Sequence, residues 1–322
     1  MADGNRPEGS GQGRDLAAAT EAFEAVRPHL HGVAYRMTGS IADADDLCQE
    51  AWLRWTRVDH GEVDDPEGFL VRVVTRLAID RQRSAAVRRE SYVGPYLPEP
   101  LVRPVGGRSP DDGVDPAHAA EVADSLTFAF LVVLDELDPV ERAVVLLHDV
   151  FGYPFGEVAA AIGSSEAGAR QTAVRARRKV AEGRPPSARP SDDRVEEVLA
   201  GLVVALAAGD IPRVMSYLAP GVVQLDDGGP KQHAARRPVV GSDRVARLWV
   251  NLAKRNTHLS VQMADVNGRP GLLLFDGDRP FMVSTVELDA DGRVDRIFSQ
   301  LNPDKLVHLA PESSTPDSAG GE

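Results

Sequence analysis

Asp226, Lys231, His233 and His258 are the side chains whose types could move protons: a carboxylate, an ammonium and two imidazoles in one C-terminal stretch. Their setting argues against that chemistry. Asp226-Asp227-Gly228-Gly229 has the composition of a turn, and the 8 histidines are scattered without the spacing that metal ligands require. A lone cysteine, Cys48, excludes an internal disulfide and a Cys-rich zinc site and fits a reducing compartment. No catalytic residue, metal or cofactor is expected. What the charges support is phosphate binding, although the total charge of −13 is acidic, because a phosphate backbone responds to local and not to summed charge.

The local charge is sorted into blocks. Between Gly39 and Glu67 nine acids stand against two arginines, and between Gly68 and Arg89 six arginines stand against Asp80. The alternation recurs: Ala120 to Ser164 carries eight acids against Arg142, and Ser165 to Val180 carries five bases against Glu166. Two acid-then-base blocks imply two separate binding modules. No charge block of comparable strength is expected after them.

The elements that must carry these charges follow from periodicity. Ile41, Ala44, Cys48, Ala51 and Trp55 recur at helical spacing, which leaves Asp43, Asp46 and Glu50 on a solvent-facing side of the same helix. A second helix from about Pro66 to Ser84 has the apolar line Phe69, Val73 and Leu77, with Arg72, Arg76 and Arg83 directed away from it. The first bundle is read from about Thr20. Ser91 to Pro116 has no apolar period and reads as a linker. Helices resume from about Glu121 to Leu137, with Asp138-Pro139 as a start signal. A short helix carrying Glu157-Val158-Ala159-Ala160-Ala161-Ile162-Gly163, a break, and a basic helix from Ser165 to Val180 form a helix-turn-helix pattern. The N-terminal part of that second helix, which opens at Ser165 and Glu166, would face base edges, with Arg170 and Gln171 as the base-reading candidates. Arg175, Arg177, Arg178 and Lys179 would lie nearer phosphate.

A Pro- and Ser-rich linker then leads into an α+β module: helices at Val195 to Ala208, Ile211 to Leu218 and Ser242 to Arg255, and a strand at Val222 to Leu225. Four further strands, near His258 to Val266, Gly271 to Phe275, Phe281 to Leu288 and Val294 to Gln300, are separated by Asn267-Gly268, Asp276-Gly277 and Asp291-Gly292, which are hairpin signals. The expected division is a tail at 1–17, helical domains at 18–90 and 119–183, linkers at 91–118 and 184–192, the α+β domain at 193–309 and a tail at 310–322. The N-terminus lacks an apolar signal segment, and Leu126 to Leu134 and Leu202 to Ala208, the longest apolar runs, fall short of the roughly 20 residues of a membrane helix, so a cytoplasmic protein with no membrane partner is expected.

Ala34-Tyr35-Arg36-Met37 followed by Asp43-Ala44-Asp45-Asp46-Leu47-Cys48-Gln49-Glu50-Ala51-Trp52-Leu53-Arg54-Trp55 resembles region 2 of bacterial extracytoplasmic-function (ECF) sigma factors. Phe69 to Ser84 resembles the promoter-reading helix that follows it, and Leu137 to Val180, with Asp138-Pro139-Val140-Glu141-Arg142 ahead of the helix-turn-helix, is similar to region 4. Three further motifs resemble the marks of the SigJ-type group, in which a SnoaL-like domain is fused to the sigma regions. They are Tyr96-Leu97-Pro98-Glu99-Pro100, Asp226-Asp227-Gly228-Gly229-Pro230-Lys231 and Asn302-Pro303-Asp304-Lys305-Leu306. Tyr96 stands where a Trp is usual and Pro230 where a Gly is usual.

The resemblance implies a transcription initiation factor built from two all-α sigma domains and an α+β SnoaL-like cone. It implies docking of Asp43, Asp46, Gln49 and Glu50 on core RNA polymerase, capture of the melted −10 element by Arg72, Arg76, Asp80 and Arg83, and reading of the −35 duplex by region 4. It also implies regulation in cis, with Asn302 to Leu306 forming a turn into a short helix that locks the linker and with Glu99 opposite Lys231 or Lys305. The resemblance also implies a cone with room for a small-molecule ligand, and a monomer is expected for the free protein. Two other readings stand beside it: a helix-turn-helix regulator that binds an operator without polymerase, and an enzyme using Asp226 or His258.

Overall fold

The computed structural model describes residues 9–89, 92–103, 127–183 and 190–310. Within it the chain forms two units, residues 1–88 with 133–183 and residues 89–132 with 184–322. The tail expected after 310, most of the first linker, the helix start expected at Glu121 and most of the second linker lie outside the described residues, as do residues 1–8 of the expected N-terminal tail.

In the first unit, α1 (Gly9–Thr38) begins before the expected Thr20. Gly39, in the left-handed region at φ 69°, ends it, and Ser40 caps α2 (Ile41–Trp55) by accepting from the Asp43 amide at 3.2 Å. Ala44, Leu47, Cys48, Ala51 and Trp55 of α2 are buried, as the spacing requires, and the Trp55 indole donates to the Ala19 carbonyl of α1 at 2.9 Å. The buried line of α3 (Pro66–Arg89) is displaced from the expected one: Leu70, Val74, Leu77 and Ala78 are enclosed, whereas Phe69 is half-buried with its ring 5.7 Å from that of Trp55.

After α4 (Phe128–Leu134), Asp138 and Glu141 form a reciprocal capping box at the start of α5 (Pro139–Val144), which continues as a π-helical turn through Val150. Then come α6 (Phe155–Ile162) and α7 (Glu166–Gly183), separated at Gly163, whose φ of 71° ends α6. Buried Arg142 donates to the Arg36 carbonyl at 2.9 Å, and His29 Nε2 lies 2.9 Å from the Tyr153 hydroxyl. The two helical modules that the charge blocks suggested as separate are therefore packed in one unit.

The second unit holds a seven-stranded sheet in the order β1-β4-β5-β6-β7-β2-β3. Its strands are β1 (Val102–Arg103), β2 (Leu218–Asp227), β3 (Val239–Val240), β4 (Leu259–Val266), β5 (Arg269–Asp276), β6 (Arg279–Leu288) and β7 (Val294–Gln300). The meander β4 to β7 is antiparallel, as the hairpin signals require, and Asn267, Gly268, Gly277 and Gly292 all have positive φ. β2 joins β7 in parallel. Helices α8 (Asp192–Ala207), α9 (Ile211–Ser216) and α10 (Ser242–Arg255) bury Val198, Leu202 and Val250 with Val222, Val286 and Ile297 of the sheet. A second cluster unites Ala264, Val266, Leu273, Val283 and Phe298 with Leu97, Phe128 and Leu306.

Three expectations need correction. The backbone of Asp226 and Asp227 is not in a turn: β2 runs through both, and the turn lies at Gly229 and Pro230, held by the Asp227 carboxylate, which accepts from the Gly229 amide. The segment 92–103 is not a free linker, since its end is an edge strand of the sheet. And α10, with the loop before it, carries a basic block that a search for contiguous charge overlooks: seven bases between Lys231 and Arg255 against Asp243 alone. Among the described residues no helix is long and apolar enough to cross a membrane, and no group of three potential metal ligands occurs.

Candidate functional site

Three sets of side chains carry the expectations, two in the first unit and one in the second. On α2, Asp46 and Gln49 are exposed and Asp43 and Glu50 half-buried. Arg81 of α3 reaches across to Asp43 at 2.7 Å and Asp46 at 3.5 Å, and Arg54 pairs with Glu50 at 2.6 Å. The acidic face is thus partly neutralised by the unit's own arginines, through pairs that solvent screens and that cost little to exchange. Behind it the Cys48 thiol, pushed up to about 11 by burial, is inert.

The four −10 candidates of α3 are in different states. Arg72 is half-buried with its guanidinium 5.9 Å from the Phe69 ring centroid. Arg76 donates to the Ala161 and Ala160 carbonyls at 3.1 and 2.7 Å, satisfying acceptors at the C-terminal end of α6 that the helix leaves open. Asp80 and Arg83, both exposed, lie 3.7 Å apart.

On α7 the buried side is Ala169, Thr172, Ala173 and Ala176, small enough to let the helix pack closely, and the remaining face is charged. Ser165 Oγ accepts from the Gly168 amide at 3.1 Å and so caps the helix. Glu166 pairs with Arg170, whose guanidinium stands 4.6 Å from the Phe155 ring centroid. Arg175 reaches Thr172, Arg177 forms a two-pronged pair with Asp149, Arg178 pairs with Glu182 at 2.9 Å and Lys179 with the buried Glu141 at 2.7 Å. The Asp149 carboxylate raises the pKa of Arg177. Gln171 is exposed, and three residues on, Val174 is 67% exposed; its apolar surface beside Gln171 is a feature that the basic pattern concealed.

The third set centres on the end of β2, where strand alternation sends neighbouring carboxylates to opposite faces. Asp226 Oδ1 accepts from Gln224, whose carbonyl oxygen accepts from the Trp249 indole at 2.8 Å, and Ser299 and the Ala235 amide also bond Asp226. Burial raises the pKa of Asp226 and these hydrogen bonds oppose the shift. Asp227 is fully enclosed and is met by the Tyr92 hydroxyl at 2.5 Å, the Gly229 amide at 3.0 Å, the Leu97 amide at 2.9 Å, Lys305 Nζ at 2.8 Å and Gln300 Nε2 at 3.2 Å.

Lys305 Nζ also bonds the Leu97 carbonyl and stands 3.3 Å from the Tyr96 ring centroid, a cation on an aromatic face. Gln300 donates to the carbonyls of Leu97 and Pro98, and Asn302 to the Tyr92 hydroxyl. Leu97 itself is 1% exposed, Pro98 and Pro100 are buried, and the Pro100 carbonyl lies 2.7 Å from His308 Nε2. The motif around Tyr96 to Pro100, with half-buried Glu99, is clasped by both C-terminal motifs. Asn302 caps a short helical turn, Pro303 to Lys305, with Pro303 at its first position, as the sequence implied, and Leu306 is buried behind it.

The glycines are needed for close approach. A Cβ on Gly229, at φ 57°, would fall 2.6 Å from Asn302 Nδ2, and one on Gly228 would fall 2.5 Å from the Gln232 carbonyl oxygen. Pro230 stands exposed outside these contacts. The proton-transfer candidates are engaged separately: Lys231 with Asp304 at 2.6 Å, exposed His258 near Asp276 at 3.8 Å, and exposed His233 elsewhere in the loop.

A helical bundle of α1, acidic α2 and basic α3, joined to a helix-turn-helix, is the arrangement of a bacterial transcription initiation factor of the sigma-70 type. Family models agree: Sigma-70 region 2 matches residues 22–88 and Sigma-70, region 4 matches residues 127–180. The chain is 42% identical over 294 residues to the ECF RNA polymerase sigma factor SigJ of Mycobacterium tuberculosis, covering 88% of this chain and 92% of that protein. It is 35% identical over 298 residues to the probable ECF RNA polymerase sigma factor SigI of the same organism, covering 90% and 96%. The crystal structure of M. tuberculosis SigJ matches at a TM-score of 0.69 and 38% identity, over 89% of this chain and 98% of that one. The chain belongs to the ECF sigma-factor family, with a SigJ-like C-terminal α+β domain. It serves promoter recognition and is not an enzyme, so the operator-binding and catalytic readings fall away.

Proposed function

We propose that the C-terminal domain modulates transcription in cis by holding the segment between the two sigma regions. The observation that carries this is the enclosed Asp227–Lys305 pair closed around the Leu97 backbone. Because a buried pair broken on one side leaves an uncompensated charge, the clasp is either made in full or released as a whole, which suits a two-state control element.

Asp43, Asp46, Gln49 and Glu50 dock on core polymerase, where a basic partner surface exchanges for Arg81 and Arg54 at small cost. Arg72, Arg76, Asp80 and Arg83 hold the −10 strand, and Arg76 must first leave the α6 carbonyls to do so. Ser165, Glu166, Arg170, Gln171, Arg175, Arg177 and Arg178 contact the −35 duplex. On that face Gln171 is suited to adenine and the exposed Val174 to a thymine methyl.

Run-off transcription with core polymerase tests the proposal, comparing the full chain with chains ending at Gly183 and at Leu301. Transcript yield should differ between the full and shortened chains on the same promoter. Equal yields from all three would remove the C-terminal domain from control.

A further inference from the structure

The net charge of −13 conceals a concentration of unpaired cations in the C-terminal unit. Between Lys231 and Arg255 there are seven bases, five of them arginines, against Asp243 alone. Within α10, Arg244, Arg247, Asn251, Lys254 and Arg255 are all exposed, and their spacing places them in an arc of about 100° along about 16 Å of helix axis. Val245, Ala246 and Val250, on the other side, are buried. The result is a continuous basic stripe. Arg236 and Arg237, also exposed, lie in the loop leading to β3, which packs against α10.

These residues combine crowding on one face with a shortage of partners. On α7 the basic side chains of Arg170, Arg177, Arg178 and Lys179 each lie against a carboxylate. In the stripe Arg247 pairs with Asp243 of its own helix, and Lys231 in the preceding loop pairs with Asp304. Among the described residues no carboxylate pairs with Arg236, Arg237, Arg244, Lys254 or Arg255. Like charges crowded on one face without counter-ions repel one another, and a polyanion removes that cost.

We propose that this stripe is a docking surface for the sugar–phosphate backbone of duplex DNA, engaged when the chain is held at a promoter. Guanidinium groups match phosphate oxygens in paired hydrogen bonds, and the stripe is rich in arginine. The surface has little apolar content, with Leu252 at 44% exposure beside it, whereas a protein interface needs a fully buried apolar centre. As the sigma regions already bind DNA, a weak non-specific contact on the same chain gains from high effective concentration. The contact adds affinity without reading sequence. This inference rests on the family membership and not on the linker clasp.

The test is promoter affinity of the holoenzyme as a function of salt, for the wild type, R244Q/K254Q/R255Q, and the matched exposed control R213Q/R279Q/R293Q. In the stripe variant the slope of log affinity against log salt should become shallower by about 2 to 3, at about 0.9 for each phosphate no longer neutralised. Affinity should fall by the same factor on every promoter sequence tested. The control should keep the wild-type slope. A photo-crosslinking residue at position 251 should join the wild-type chain to DNA in the promoter complex. An unchanged slope in the stripe variant, an equal change in the control, or a crosslink to a polymerase subunit in place of DNA would overturn the proposal; the last would assign the stripe to an acidic protein surface.

Discussion

Arg177 in the first unit and Lys305 in the second are both cations held by an aspartate, and they stand at opposite limits of what such a pair can do. Arg177 is 49% exposed and its partner Asp149 is 25% exposed, so water screens the pair and can replace either side. Lys305 and Asp227 are 9% and 0% exposed, and each has further polar contacts that fix it. On the proposed function, the first arrangement holds a charge that phosphate can take. The second organises backbone, here the Leu97 segment. On the proposed function this chain uses both kinds, one to meet DNA and polymerase without a large penalty and one to hold the segment between its sigma regions.

The largest effect should come from breaking the buried pair. Lys305→Met keeps the bulk and removes the ammonium, leaving Asp227 enclosed; denaturant unfolding should show the C-terminal unit weakened by about 3 to 5 kcal/mol, with faster proteolysis between Tyr92 and Leu101. An unchanged midpoint would make the pair peripheral. Next is Gln171→Ala, expected to cost about 1 to 3 kcal/mol in promoter binding and to relax preference at one base pair of the −35 element. A variant that weakens all sequences alike would place Gln171 on phosphate.

Gly229→Ala should cost about 1 to 2 kcal/mol in stability, because the new Cβ meets Asn302 and the backbone has positive φ. Gly277→Ala, where no atom lies within 4 Å of the added Cβ, separates the two causes. The smallest effect is at the exposed pair: Arg177→Gln should change stability by less than about 1 kcal/mol yet lower promoter affinity uniformly and reduce the salt slope by about 1. A large loss of stability there would erase the contrast with Lys305.

Local chemistry was legible in the sequence where neighbours in the chain determine it. The α2 stripe, the Asp138-Pro139 helix start, the Gly163 break and the Asn-Gly and Asp-Gly hairpins depend on residues within a turn or two of each other, and each is present. What the sequence obscured depends on distant partners. Arg76 has the composition of a DNA-binding side chain, and nothing local reveals that the Ala160 and Ala161 carbonyls lie beside it. Asp226-Asp227 has turn composition, but the strand continues through both, and Gln224 and Ser299 serve one carboxylate and Lys305 and Leu97 the other. The 92–103 segment lacks periodicity because its pairing comes from β4 and its enclosure from the C-terminal motifs. The α10 stripe escaped because its charges alternate with apolar residues at helical spacing instead of forming a run.

Control of initiation by the clasp around Leu97 is the proposal on which the role of the C-terminal domain turns. Its most direct test is run-off transcription by holoenzyme carrying full-length Lys305→Met, at a temperature where circular dichroism shows the variant folded. A several-fold change in promoter-dependent transcript, with core binding unaltered, is the predicted result. Wild-type transcript levels from a variant whose linker segment has become protease-accessible would contradict control by the clasp.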